Sequence, residues 1–101
     1  EEIPKIVRLH IVKEETFAYA KIPRDLSGDE LSKFLRKYDY EVVRQTGSHI
    51  RLISVYKKTE HKITIPNHNP IKIGTLNNIL NDVAEYLKIP KQVLISQLFE
   101  K

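Results

Sequence analysis

The residues of this chain best suited to moving a proton are its four histidines, because imidazole both accepts and donates a proton near neutral pH. His49 is the strongest candidate: it follows Gly47 and Ser48, and Arg51 lies two residues further on. RNA suits a single such group, because its 2′-OH is an internal nucleophile and its leaving 5′-oxygen takes up a proton. Nearby cationic side chains would stabilise the charge that develops on the phosphate. The alternative is a histidine that is structural or merely exposed.

Other kinds of active site find less support in the residues. The chain has no cysteine, which removes disulfides, thiolate catalysis and cysteine-based zinc sites. No glycine-rich phosphate loop and no Ser-His-Asp arrangement is detectable in the local sequence. His61 and His68 are seven positions apart with Pro66 between them, a poor spacing for metal ligands. We therefore expect no metal ion and no cofactor.

Positive charge is concentrated in the middle of the chain. The net charge is +4, but residues 33–72 hold nine Lys or Arg against three Asp or Glu, and three of the four histidines. Clustered positive charge attracts polyanions, of which nucleic acid is the commonest partner. The alternative is a solvated surface that only keeps a small domain in solution.

Length and composition predict one small globular domain without a membrane span. The 101 residues fit a single domain, and 41% of them are apolar. No apolar run approaches the roughly 18 residues that cross a bilayer, and the sequence does not begin with a signal-peptide pattern. We therefore expect a cytoplasmic protein.

Helical and strand periodicities predict the elements that hold the candidate residues. Ser27 and Glu30 match a capping box, so a helix is expected over 28–38. Its apolar stripe would contain Leu31, Phe34, Leu35 and Tyr38.

Three strands are expected over 40–46, 49–56 and 61–65, with Gly47 in a tight turn that needs a positive φ. Alternation assigns one face to the core, with these side chains: Tyr40, Val42, Ile50, Leu52, Ile63 and Ile65. The opposite face is polar and cationic and contains His49, Arg51, Lys62 and Thr64.

Two further helices are expected after Pro70. Thr75 would cap the first, whose apolar stripe is Leu76, Ile79, Leu80, Val83 and Leu87. Pro90 suits the first turn of the second, over 91–100, with Val93, Leu94 and Leu98 inward. The order is α-β-β-β-α plus a C-terminal helix. This predicts an α+β fold like that of double-stranded-RNA-binding domains, with a three-stranded antiparallel sheet and helices on one face.

Further residues are candidates for RNA contact. Lys72 and the helix start at Thr75 could hold a phosphate through charge and backbone N–H groups, although an ordinary helix cap explains them as well. His68 could lie beside the RNA or be a solvated loop residue. Ser48 could donate to phosphate or simply favour the turn.

The order of motifs resembles that of HicA toxins over about residues 22–98. The resemblance is carried by these strings: Gly28-Asp29-Glu30-Leu31, Arg44-Gln45-Thr46-Gly47-Ser48-His49, Ile63-Thr64-Ile65-Pro66-Asn67-His68 and Lys72-Ile73-Gly74-Thr75-Leu76. Each string is weak alone, and the set is specific. Asp39-Tyr40 replaces the Gly-Trp or Gly-Tyr that often follows the first helix.

The resemblance implies the toxin of a type II toxin–antitoxin pair, an mRNA interferase that cleaves mRNA without a metal. It implies that His49 is catalytic and that a HicB-type antitoxin covers the site. Arg51, Lys62 and Lys72 would bind phosphate. Residues 22–101 would form the HicA-like domain. Residues 1–21 are an N-terminal extension, a possible β-hairpin, without counterpart in the usual short form.

Two rival functions stay open at this point. One is a non-catalytic module that keeps the fold and binds RNA through the basic face. The other is an inactive or permanently antitoxin-bound relative that represses its own operon. The sequence does not determine the preferred RNA or the oligomeric state.

Overall fold

The computed structural model describes residues 21–100, so the hairpin expected in the N-terminal extension lies outside the described residues. The elements, in chain order, are α1 (Gly28–Leu35), a 3-10 turn (Arg36–Tyr38), β1 (Glu41–Thr46), β2 (His49–Ser54), β3 (His61–Pro66), α2 (Ile73–Leu87) and α3 (Lys91–Phe99). The predicted α+β class and the α-β-β-β-α order with an added C-terminal helix are confirmed.

Helix α1 starts at the predicted capping box. Ser27 Oγ accepts from the Glu30 amide at 3.1 Å, and Glu30 Oε1 accepts from the Ser27 amide at 2.9 Å. Leu31, Leu35 and Tyr38 are buried as predicted. Phe34 is not, because 41% of it is exposed and its ring packs edge-on against Phe99, with ring centroids 5.1 Å apart. That side chain therefore links α1 to α3 at the surface.

The sheet is an antiparallel meander in the order β1-β2-β3. Ile50, Leu52, Ile63 and Ile65 are buried beneath the helices, which confirms the predicted core face of β2 and β3. Val42 was wrongly assigned to the core: it lies opposite Leu52 yet is 45% exposed. All six residues of β1 are exposed, so the helices that bury the inner faces of β2 and β3 do not fully cover this strand.

Helices α2 and α3 complete the core. All five predicted stripe residues of α2 are buried. The cap of α2 is Lys72, not Thr75, which lies within the first turn. Just before this cap, the buried Ile71 donates its amide to Leu26 O at 2.8 Å. In α3, Leu94 and Leu98 are buried as predicted, whereas Val93 is only partly buried and Ile95 takes the third core position.

The first residue of α1 lies against the end of β3. The Gly28 amide donates to His68 O at 3.0 Å, and a Cβ on Gly28 would lie only 2.5 Å from Pro66 O. Glycine thus allows the helix to approach the strand that ends beside the candidate site. Within residues 21–100, no helix is long and apolar enough to cross a membrane.

Candidate functional site

The turn before His49 consists of two residues, Gly47 and Ser48, because Thr46 pairs directly with His49. The expectation of a positive φ at Gly47 is wrong: neither turn residue has one. A Cβ on Gly47 would meet nothing within 4 Å. The hairpin therefore closes without the left-handed conformation that only glycine adopts readily.

His49 lies at the start of β2 on the face of the sheet away from the helices. Its strand neighbours are Thr46 on β1 and Pro66 on β3. The side chain is exposed, and Ser48 Oγ lies 3.2 Å from Nδ1, a hydrogen bond that restricts the orientation of the ring. In the part of the chain that the structure describes, Nε2 has no hydrogen-bond partner. That nitrogen is free to exchange a proton with a bound molecule.

Asn67, which the sequence did not indicate, braces this turn. Its amide donates to Ser48 O at 2.9 Å, and its Nδ2 donates to Gly47 O at 3.3 Å. The loop after β3 therefore holds the loop before β2 through both backbone and side chain. Because Asn67 is 20 positions away from Gly47, no local pattern reveals the contact.

A shallow concavity of about 380 Å³ surrounds the candidate histidine. Its lining residues are Arg44, Thr46, His49, Arg51 and Thr64. Arg51 and Thr64 were predicted on this face, whereas Arg44 and Thr46 were missed. The lining contains two guanidinium groups and one imidazole, with hydroxyl groups between them, and no carboxylate. Such a surface favours an anionic ligand, and guanidinium groups are suited to the oxygens of carboxylates and phosphates.

The remaining predicted residues lie around this concavity rather than in it. Lys62 is exposed on the same face, opposite Ile53, four strand pairs along the sheet from His49. Its Nζ lies 3.9 Å from Glu60 Oε1, a weak surface ion pair. His68 and Lys72 are exposed in the connection after β3, and Thr75 is partly buried in α2. His68 lies two residues beyond Pro66, the residue that pairs with His49.

His61 occupies a different environment at the far end of the sheet. Tyr40 Oη lies 2.6 Å from its Nδ1, and Asp82 Oδ1 lies 3.3 Å from its Nε2. The imidazole also stacks on Tyr86, with centroids 4.6 Å apart and planes 10° apart. Burial raises the pKa of Tyr40, and the nearby Tyr86 and Asp82 raise it further. Both ring nitrogens of His61 are therefore occupied within the protein.

The described residues contain no cluster of three or more His, Cys, Asp or Glu side chains that could hold a metal ion. His61 and His68 do not form a shared site: His61 contacts Tyr40 and Asp82, while His68 is exposed in the loop beyond β3.

Comparison with known protein families finds a match for this chain. A family model described as HicA toxin of bacterial toxin-antitoxin systems matches residues 28–84, which run from the start of α1 into α2. The match includes the hairpin turn, the whole sheet and every residue that lines the concavity. Comparisons with curated proteins and with solved structures give no match.

Proposed function

The chain belongs to the HicA toxin family of bacterial toxin–antitoxin systems, and on that premise we propose that it is a metal-independent endoribonuclease. As the toxin of its pair it would cleave mRNA and so inhibit translation. The observation that carries the proposal is the position of His49. Its imidazole is exposed in a concavity that Arg44 and Arg51 also line, and its Nε2 has no hydrogen-bond partner among residues 21–100.

The chemistry follows from the nature of RNA. Attack of the 2′-oxygen on phosphorus releases the hydroxyl proton, and breakage of the bond to the 5′-oxygen requires a proton on that oxygen. The free Nε2 of His49 serves one of these two transfers, which is typically worth about 10²–10⁴ in rate. The cationic side chains around it stabilise the additional negative charge on the phosphate as the bond order changes.

The other candidate residues are proposed to hold the RNA on either side of the reacting phosphate. Arg51 and Lys62 lie on the face of the sheet away from the helices, and Lys72 adds a positive charge in the connection after β3. Ser48 orients the imidazole through Nδ1. His68, two residues beyond Pro66, and Thr75, in the first turn of α2, are proposed as peripheral RNA-binding residues.

The proposed protein partner is a HicB-type antitoxin. A partner that presents carboxylates to the concavity would neutralise its two guanidinium groups and exclude RNA from His49. Inhibition and RNA binding would then compete for the same face.

The test is cleavage of a long RNA in EDTA by the parental protein and by His49→Ala. We expect the parental protein to cut and His49→Ala to cut at least about 10²-fold more slowly. Expression of His49→Ala should also cease to inhibit growth. Because the side chain is exposed, the melting temperature should stay nearly unchanged. Cleavage by His49→Ala at the parental rate would refute the catalytic role, and a large loss of stability would indicate a structural histidine.

A non-catalytic RNA-binding function is the second candidate, and one observation favours it. Among the described residues, no carboxylate lines the concavity that could act as a second proton-transfer group beside His49. Under this alternative the RNA stays intact, and the protein retards it in a gel in a manner that weakens with salt.

A further inference from the structure

An irregularity in the edge strand determines which way Arg44 faces. The register of β1 against β2 pairs Val42 with Leu52 and Arg44 with Arg51, so Val43 is an extra residue without a partner. This is a β-bulge, in which two residues of one strand oppose one residue of the other. It lies one pair away from the concavity.

The bulge moves Arg44 to the face that contains His49. In a regular strand, residues two apart share a face, so Arg44 would lie with Val42 on the helix side. The extra residue reverses the alternation, and Arg44 instead lines the concavity with Arg51. Bulges often occur next to functional sites, where they redirect a side chain.

The resulting pair of arginines is unfavourable for the isolated protein. Like charges directly opposite each other on neighbouring strands destabilise a sheet. Neither guanidinium has a carboxylate within 4 Å among residues 21–100, where the ion pairs are His61 with Asp82 and Lys62 with Glu60. Both arginines are exposed. An anion between them would relieve the repulsion.

We propose that Arg44 and Arg51 form a two-guanidinium clamp that binds one phosphate group of an RNA backbone beside His49. The choice of RNA as the source of that phosphate rests on the proposed function. The planar fork of guanidinium matches phosphate oxygens through two parallel hydrogen bonds, which a lysine cannot reproduce. Thr46 and Thr64 supply hydroxyl donors at the edges of the same concavity. Arg44 is thus a phosphate-binding residue in addition to those predicted from the sequence.

The first experiment measures binding without cleavage. A short, fluorescently labelled, single-stranded RNA with 2′-O-methyl groups keeps every phosphate but lacks the attacking hydroxyl. We expect Arg44→Gln to weaken its binding at least about tenfold, because hydrogen bonds between charged groups are the strong ones. The slope of log affinity against log salt should become shallower by about 0.7 for each phosphate that the variant no longer neutralises. Arg36→Gln is the matched control, since it removes the same charge from an exposed residue outside the concavity.

Two further variants test the clamp geometry. Arg44→Lys keeps the charge and should still bind several-fold more weakly than the parental protein, because lysine lacks the fork. The double variant Arg44→Gln/Arg51→Gln should weaken binding by a factor that differs from the product of the single effects, since both residues act on one phosphate. Full affinity of Arg44→Lys, or strictly multiplicative effects, would overturn the clamp.

Thermal melting separates binding from a structural role. Removing one of two opposed positive charges should leave the melting temperature of Arg44→Gln unchanged or raise it, whereas a structural arginine would lower it. The outcomes also separate this inference from the nuclease proposal. If unmodified RNA is cut equally well by the parental protein and Arg44→Gln, the clamp is wrong and the nuclease stands. Suppose instead that neither the parental protein nor Arg44→Gln cuts RNA. If Arg44→Gln then loses affinity for the methylated RNA while the control Arg36→Gln does not, the clamp stands without the nuclease.

Discussion

At the scale of single residues, two histidines of the sheet differ in exposure and in hydrogen-bond partners, and this difference bears on which of them can exchange a proton. His49 is exposed, has one hydrogen bond to Ser48 and shares its concavity with two arginines. His61 has a side chain only 17% exposed, and its ring nitrogens contact Tyr40 and Asp82. Of these two, His49 alone has a ring nitrogen without a hydrogen-bond partner among residues 21–100, so the proposed proton transfer is placed on it.

The buried hydroxyl of Tyr40 leads to a prediction about alkaline pH. In the unfolded chain this group ionises near pH 10, whereas burial raises its pKa in the folded protein. A raised pKa stabilises the folded state fully below pH 10 and loses this effect as the pH rises above it. We expect the free energy of unfolding to decrease above pH 10, and to decrease less steeply in Tyr40→Phe.

Denaturant titrations of both proteins below and above pH 10 provide the measurement. At neutral pH, Tyr40→Phe should be less stable by about 1 kcal/mol, because His61 Nδ1 loses its partner. The pKa of Tyr38 is also raised by burial, so the variant should keep part of the alkaline decline. An identical pH dependence in the two proteins would contradict the assignment.

At the scale of the elements, the site depends on contacts between segments that are distant in the chain. Asn67 joins the connection after β3 to the turn before β2. Gly28 brings the first turn of α1 against Pro66 and His68. The loop that follows β3 is therefore fixed from two sides, and it holds the turn that presents His49.

Gly28→Ala tests this arrangement. The added Cβ would lie 2.5 Å from the Pro66 carbonyl oxygen, so backbone must shift. We expect a loss of about 1–3 kcal/mol in the free energy of unfolding, as for other overpacked sites. Chemical denaturation measures this loss.

Gly74→Ala and Gly47→Ala are the matched controls. A Cβ at either position meets nothing within 4 Å, and neither residue has a positive φ. Gly74 lies in the first turn of α2, where alanine is favoured over glycine by up to about 1 kcal/mol. Both controls should therefore be as stable as the parental protein or more so. Equal losses in all three variants would show that the close approach at Gly28 is not the cause.

At the scale of the whole molecule, the two faces of the sheet differ in burial and in charge. One side packs its aliphatic residues against three helices and forms the core. The other side has no covering element among residues 21–100 and exposes His49, Arg51, Lys62 and Thr64. The proposed RNA contact would thus depend on the charge of one face rather than on the net charge of +4.

Two paired variants of equal charge test this separation. Arg51→Gln/Lys62→Gln alters the open face, and Lys33→Gln/Arg36→Gln alters exposed residues on or next to α1. We expect the first pair to weaken RNA binding and to lower the salt slope by about 1.4, the value for two phosphates no longer neutralised. The second pair should leave both quantities nearly unchanged. Equal effects, measured by a salt series of binding titrations, would instead indicate attraction by net charge alone.

Local periodicity was sufficient to predict much of this architecture. The capping box at Ser27, the buried residues of β2 and β3 and the apolar stripe of α2 all follow from spacing within one element. The set of motifs was enough to indicate the family. These features are readable because each depends on residues within a few positions of one another.

Only the tertiary structure shows which residues lie around His49 and how its turn is held. Alternation from Tyr40 predicted that Val42 is buried, but the helices do not fully cover β1 and Val42 is exposed, while the bulge at Val43 turns Arg44 toward His49. A positive φ expected at Gly47 is absent, and Asn67 closes the turn from 20 positions away. Each of these outcomes depends on how the strands pair and on how the helices and loops pack against the sheet. The sequence by itself therefore determined His49 as the candidate, and the pairing of β1 with β2 determined which cations surround it.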